Sequence, residues 1–170
     1  MKNQVQFNIG LLVTLAFLFY VFPFAFVDAA KFQSGVTIGA PSTNETGTAA
    51  GTCGLQIISG VPINYGQVNL GQLSNEQKVT YKNEGTASAQ IMVKGGQWIT
   101  GTSTPVGIPE ITRVATTPGK EFGNKMPLHT SATVLAQLGA GQTGESYWSM
   151  YAETGMTGSP HQEVTLDLTC

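Results

Sequence analysis

The sequence predicts an all-β fold: an antiparallel β-sandwich of about seven to eight strands, carried behind an N-terminal hydrophobic helix of signal-peptide type. Three observations predict it. From Cys53 onward, short runs place apolar residues at every second position, which puts them on one face of a pleated sheet. Turn-forming Gly, Pro and Asn separate those runs, and no stretch of a dozen residues has a 3.6-residue period. The 41% apolar content is also unevenly spread: 21 of the first 30 residues are apolar, which leaves about 35% in the remaining 140.

The chain divides at those shifts. Residues 1–29 have a polar start with Lys2 and an apolar run from Ile9 to Val27, with small residues at Ala29 and Ala30. That is the pattern of a secretory signal peptide, with Val27 and Ala29 at the −3 and −1 positions of a cleavage site. The run of 19 residues is also just long enough to span a bilayer, so an uncleaved signal anchor is the alternative. On either reading the body is expected outside the cytoplasm, extracellular or at the cell surface, and touches a membrane only through residues 9–27 if the leader is retained. Residues 30–52 combine a strand-like stretch, Phe32 to Ile38, with a Gly/Thr/Ala-rich segment too poor in apolar side chains to offset its ordering entropy. Within that segment, Asn44-Glu45-Thr46 is a candidate N-glycosylation site.

Residues 53–170 carry the strands. Leu55/Ile57, Val79/Tyr81, Ile91/Val93 and Val164/Leu166/Leu168 each alternate with polar residues, and Ala132, Val134, Ala136 and Leu138 do so more weakly. Ser146 to Ala152 is apolar on both faces, as a central strand would be. Ile111 to Thr117 is a further candidate. Asn83-Glu84-Gly85, Gly95-Gly96, Pro118-Gly119 and Gly155 to Pro160 are expected to turn the chain. Cys53 and Cys170, an even count in an exported chain, suggest a disulfide. An interchain link or two free thiols are the alternatives.

The chemistry is sparse. Charged residues make up 11% and the net charge is −2, which argues against a nucleic-acid partner. His129 and His161 lie in different runs, and Asp167, the only Asp after Cys53, sits on the polar side of the last strand. No Ser/His/Asp triad is legible. Glu110, Glu121 and Glu153 read as loop carboxylates, not as a glycosidase pair. No metal-ligand spacing appears. No catalytic residue, metal or cofactor is therefore expected. Tyr81 and Trp98 are expected in the core, while Trp148 and Tyr151 point to opposite faces and are candidates for exposed aromatic contacts. Phe32, Val36 and Ile38 form a candidate donor strand, because sheet edges accept added strands.

Ile63-Asn64-Tyr65-Gly66, Leu70-Gly71-Gln72-Leu73-Ser74 and Val79-Thr80-Tyr81-Lys82-Asn83-Glu84-Gly85-Thr86, followed by the Ala89–Lys94 strand and Trp98, resemble Ig-like sandwich modules of secreted and cell-surface proteins of archaeal type. A weaker resemblance is to exported filament subunits, in which the N-terminal strand of one sandwich completes the next. These resemblances imply a non-catalytic structural or assembly role: a filament, pilus or matrix subunit whose partners are its own copies, joined head to tail, or other envelope proteins. The competing expectations are a glycan- or protein-binding module and a membrane-anchored accessory subunit of an envelope complex.

Overall fold

The computed structural model describes residues 51–170. Ahead of them it describes the backbone of two short strands, Lys31–Gln33 (β1) and Gly35–Ile38 (β2). The predicted leader, most of the Gly/Thr/Ala segment and Asn44 lie outside the described residues. The body continues with Leu55–Ser59 (β3), Asn64–Gln67 (β4), Gln77–Asn83 (β5), Ala89–Thr100 (β6), Thr104–Gly107 (β7), Thr112–Ala115 (β8), Met126–Pro127 (β9), Thr133–Leu138 (β10), Thr143–Met150 (β11) and His161–Thr169 (β12). Single 3₁₀ turns at Pro109–Ile111 and Phe122–Asn124 are the helical pieces among the described residues.

The strands form a mostly antiparallel, β-sandwich-like pair of sheets. One sheet runs β10-β6-β12-β2, with β7 hairpinned onto the end of β6; the other runs β3-β5-β11-β8-β9. A separate ribbon pairs β1 with β4. Period-two patterning explains the packing. Val79 and Tyr81 of β5 and Trp148 and Met150 of β11 face Ile91, Val93 and Trp98 of β6 and Val164, Leu166 and Leu168 of β12, and all are buried in one core. β11 lies between β5 and β8, the central place its two-faced apolar content predicts.

The molecule has two distinct ends. At one, Leu55 of β3 lies opposite Asn83 of β5, Leu138 of β10 lies opposite Ala89 of β6, and Cys53 is bonded to Cys170. At the other, β6 turns into β7, and β11 and the chain before β12 meet the Asn69–Ser74 loop. We call these the disulfide end and the hairpin end.

Three expectations are corrected. Gly95-Gly96 is not a turn: it lies inside the 12-residue β6. Gly95 is required there by close packing, since a Cβ would come 2.8 Å from a methyl of Leu128. The weak alternation through Ala132, Val134, Ala136 and Leu138 does not hold along β10. His129 lies in the irregular chain before β10, and a bulge between Val134 and Ala136 reverses the alternation, so Val134 is exposed while Leu135 packs on the core. Trp148, predicted as an exposed contact, is fully buried, with its indole Nε1 donating to Ser146 Oγ at 2.8 Å. The pleat decides this, because β11 turns residues 146, 148 and 150 inward.

Candidate functional site

The site begins with the edge of β12. Its alternation buries Val164, Leu166 and Leu168 and turns Glu163, Thr165 and Asp167 the other way. One flank of β12 is hydrogen-bonded to β6; the other is taken by β2. That pairing is parallel, with Gly35 beside Glu163, Val36 beside Val164, Thr37 beside Thr165 and Ile38 beside Leu166. Just before it, β1 pairs antiparallel with β4, Lys31 beside Gln67 and Gln33 beside Asn64. Lys31–Gln33 is thus paired with β4, outside the two sheets, and Gly35–Ile38 forms the edge strand beside β12. Of the candidate donor residues, Phe32 stands opposite Gly66 on the β4 side, whereas Val36 and Ile38 stand at β12 register positions whose own side chains face the core.

β4 carries an aromatic residue into the core. Tyr65 of β4 is buried, with its ring centroid 6.3 Å from that of Trp98. Burial pushes its phenol pKa well up, and its hydroxyl has no hydrogen-bond partner among the described residues. Beneath it, a buried polar chain ties the two sheets together. Trp98 Nε1 donates to Thr112 Oγ1 at 3.0 Å, Thr112 donates to Gln162 Oε1 at 2.8 Å, and Gln162 Nε2 donates to the Gly96 carbonyl at 2.8 Å. Satisfied networks of this kind rigidify a core. They fix β6, β8 and β12, and with them the edge that β2 occupies.

The disulfide end holds the root of the N-terminal segment. Cys53 and Cys170 are bonded, with Cα atoms 6.0 Å apart, inside the normal range. The pairing proposed from the even cysteine count is therefore the one the structure has, and it suits an oxidising compartment. Beside it, the predicted Asn83-Glu84-Gly85 turn is built on Asn83. Its Oδ1 accepts from Gly85 N–H at 2.9 Å while its Nδ2 donates to the Ala87 carbonyl at 2.7 Å. Gly85 is needed because a Cβ would overlap the Thr52 carbonyl. Thr86 N–H donates to that same carbonyl at 2.7 Å, which fixes the chain entering the body.

The predicted polar candidates are not brought together into a catalytic arrangement. His129 Nδ1 lies 3.2 Å from Glu110 Oε1, both half-exposed. Glu121 accepts from Asn124 Nδ2 at 3.3 Å. His161 begins β12 at the hairpin end. Among the described residues no group of three or more His, Cys, Asp or Glu side chains is placed to hold a metal ion, and no helix is long and apolar enough to cross a membrane. Tyr151 is 37% exposed and bridged to the more open Leu73, at 51%. Of the two aromatic contact candidates it alone is available at the surface.

One charged site was missed by the sequence reasoning. Lys125 is buried, donating to Ser149 Oγ at 2.7 Å and to Glu76 Oε2 at 2.5 Å. Glu76 also accepts from Gly119 N–H at 3.1 Å. Burial opposes the ionised form of Glu76. The bonds from Lys125 and Gly119, with the charge of Lys125, outweigh it and hold the pKa below the ordinary carboxylate value. The pair pins the 118–125 loop over the outer face of β11. A Lys at the end of a Gly-containing loop gives no period-based signal of burial. No family model and no curated protein matches this chain.

Proposed function

We propose that this is a non-catalytic, exported structural or assembly protein of the cell surface, a filament, pilus or matrix subunit, whose copies associate through the N-terminal strand. The observation that carries this reading is the seating of Gly35–Ile38 on the free flank of β12. In sequence the strand is set apart from the body by the Gly/Thr/Ala-rich residues 39–52. The strand order supports the Ig-like interpretation. β3, β5, β11 and β8 follow the A-B-E-D order of an Ig sheet, and β6 and β12 take the places of C and F. The place beside F, which G holds in that scheme, is filled by β2. A strand that lies outside the body in sequence and fills an edge place beside β12 is an element that copies can exchange. The greasy leader and the disulfide favour an extracellular or cell-surface location.

Deleting residues 30–40 tests the reading. The shortened protein is expected to lose self-association while keeping its β-sheet circular dichroism. Unchanged assembly of the deletion variant overturns strand addition. A glycan- or protein-binding module is the second reading, favoured by the open Tyr151 and Leu73 pair. Retention on immobilised cell-envelope glycans that Tyr151→Ala abolishes would support that alternative.

A further inference from the structure

We infer that Asp167 sets the register in which a strand is added to β12. It closes the flank beyond Leu166, so that the place takes a segment with apolar residues at two alternate positions and no more. The inference rests on the strand-addition reading above and names what that site selects. Alternation along β6 shows which backbone groups of β12 are open. Gly95 N–H donates to the His129 carbonyl at 2.9 Å, away from β12. Neighbouring residues of a strand point their backbone groups to opposite flanks. Lys94, Met92 and Gln90 therefore face β12, where they stand opposite Thr165, Asp167 and Thr169. The N–H groups of Val164, Leu166 and Leu168 open instead on the flank that β2 takes. β2 covers Glu163 to Leu166 and stops there, although β12 runs on to Thr169. The next donor, Leu168 N–H, is already used: Asp167 Oδ1 accepts from it at 2.8 Å.

The pleat alone leaves the register open. A one-residue slip turns every side chain to the wrong face, but a two-residue slip keeps the faces right. Toward the disulfide end, that slip would carry a strand alongside Leu168, where its next carbonyl would meet the Asp167 carboxylate in place of a free N–H. A side chain that satisfies a nearby backbone group withdraws that group from the ladder, and a charge on an edge discourages pairing. Toward the hairpin end, the slip would set an apolar residue beside Gln162. That residue is the first inward position of β12, buried and committed through its amide to Thr112 and the Gly96 carbonyl. Two inward positions remain between these limits, Val164 and Leu166, and they are the register positions of Val36 and Ile38. The segment this place fits is thus an extended triplet of a second copy with apolar residues first and third, as in Val36-Thr37-Ile38.

A short thiol cross-linker reads the register in the purified full chain. Thr165→Cys is combined with Thr37→Cys, its partner in the observed register, or with Gly35→Cys, which stands beside it after a two-residue slip toward the disulfide end. Isotope-labelled and unlabelled copies are refolded together with the native disulfide intact, so that mass spectrometry shows whether a link joins one copy or two. The 37–165 pair is expected to link in preference to the 35–165 pair. Asp167→Ala is expected to shift that preference toward 35–165 by about threefold to tenfold, the weight of one backbone hydrogen bond. Asp167→Asn, which keeps the accepting oxygen, is expected to hold it. An unchanged preference in Asp167→Ala overturns Asp167 as the stop. The expected shift, confined to links within one copy, keeps the stop and overturns strand exchange between copies. No link at either pair overturns the seating of β2, and both readings with it.

Discussion

Lys125 shows what one buried charge does in a molecule with few charges. Its ammonium is enclosed by Glu76, Ser149 and the Tyr147 carbonyl. Glu76→Gln leaves that ammonium without its counter-charge and is expected to cost about 3 kcal/mol, read by urea unfolding at pH 7. Lys125→Met is expected to cost less, because Glu76, at 28% side-chain exposure, can turn to water. The sign of the pH dependence follows from the lowered pKa of Glu76. Its contribution is full above the unfolded value of 4.5 and is lost as pH falls through the folded value. An unfolding midpoint that does not change between pH 7 and pH 3 more than it does in Glu76→Gln would contradict this. Tyr65 is the opposite case, a buried hydroxyl without a partner among the described residues. Tyr65→Phe is expected to leave stability unchanged or raise it by about 1 kcal/mol, measured as a shift in Tm.

At the scale of elements, β6 is the strand on which most depends, since it pairs with β10, β12 and β7. Gly95 sits at its middle, against Leu128 and Gln162. Gly95→Ala forces a methyl into that contact and is expected to destabilise by about 1–3 kcal/mol, with Leu128→Ala partly restoring it in the double variant. Strands with strict alternation were legible in the sequence: β5 through Val79 and Tyr81, the first half of β6 through Ile91 and Val93, and β12 through its three buried aliphatics. So was the Asn83-Glu84-Gly85 turn, because Asn and Gly carry their conformation locally. Two features were not legible because they arise from neighbours. Gly95-Gly96 reads as a turn until Leu128 is seen to need the space, and a single bulge in β10 shifts the phase of everything after it. The site was legible in part. Phe32 to Ile38 stood out as a strand-forming stretch set apart from the body, but the flank that receives it, and its direction, depend on the order of the sheets.

For the whole molecule the decisive feature is the bond between Cys53 and Cys170, 117 residues apart. Closing a loop of that size constrains the unfolded chain, and removing it is expected to cost about 4 kcal/mol. Cys53→Ser with Cys170→Ser should show this as a lower urea midpoint, with the two-sheet circular dichroism kept at low denaturant. The body is lean in apolar residues, so a staple of this strength is a large share of a typical net stability of about 5–15 kcal/mol. The same bond also sets how the molecule answers a pull. A pull applied at Cys170 passes through the disulfide to Cys53, so it reaches both sheets at once, β12 in one and the start of β3 in the other, and does not strip β12 from β6 alone.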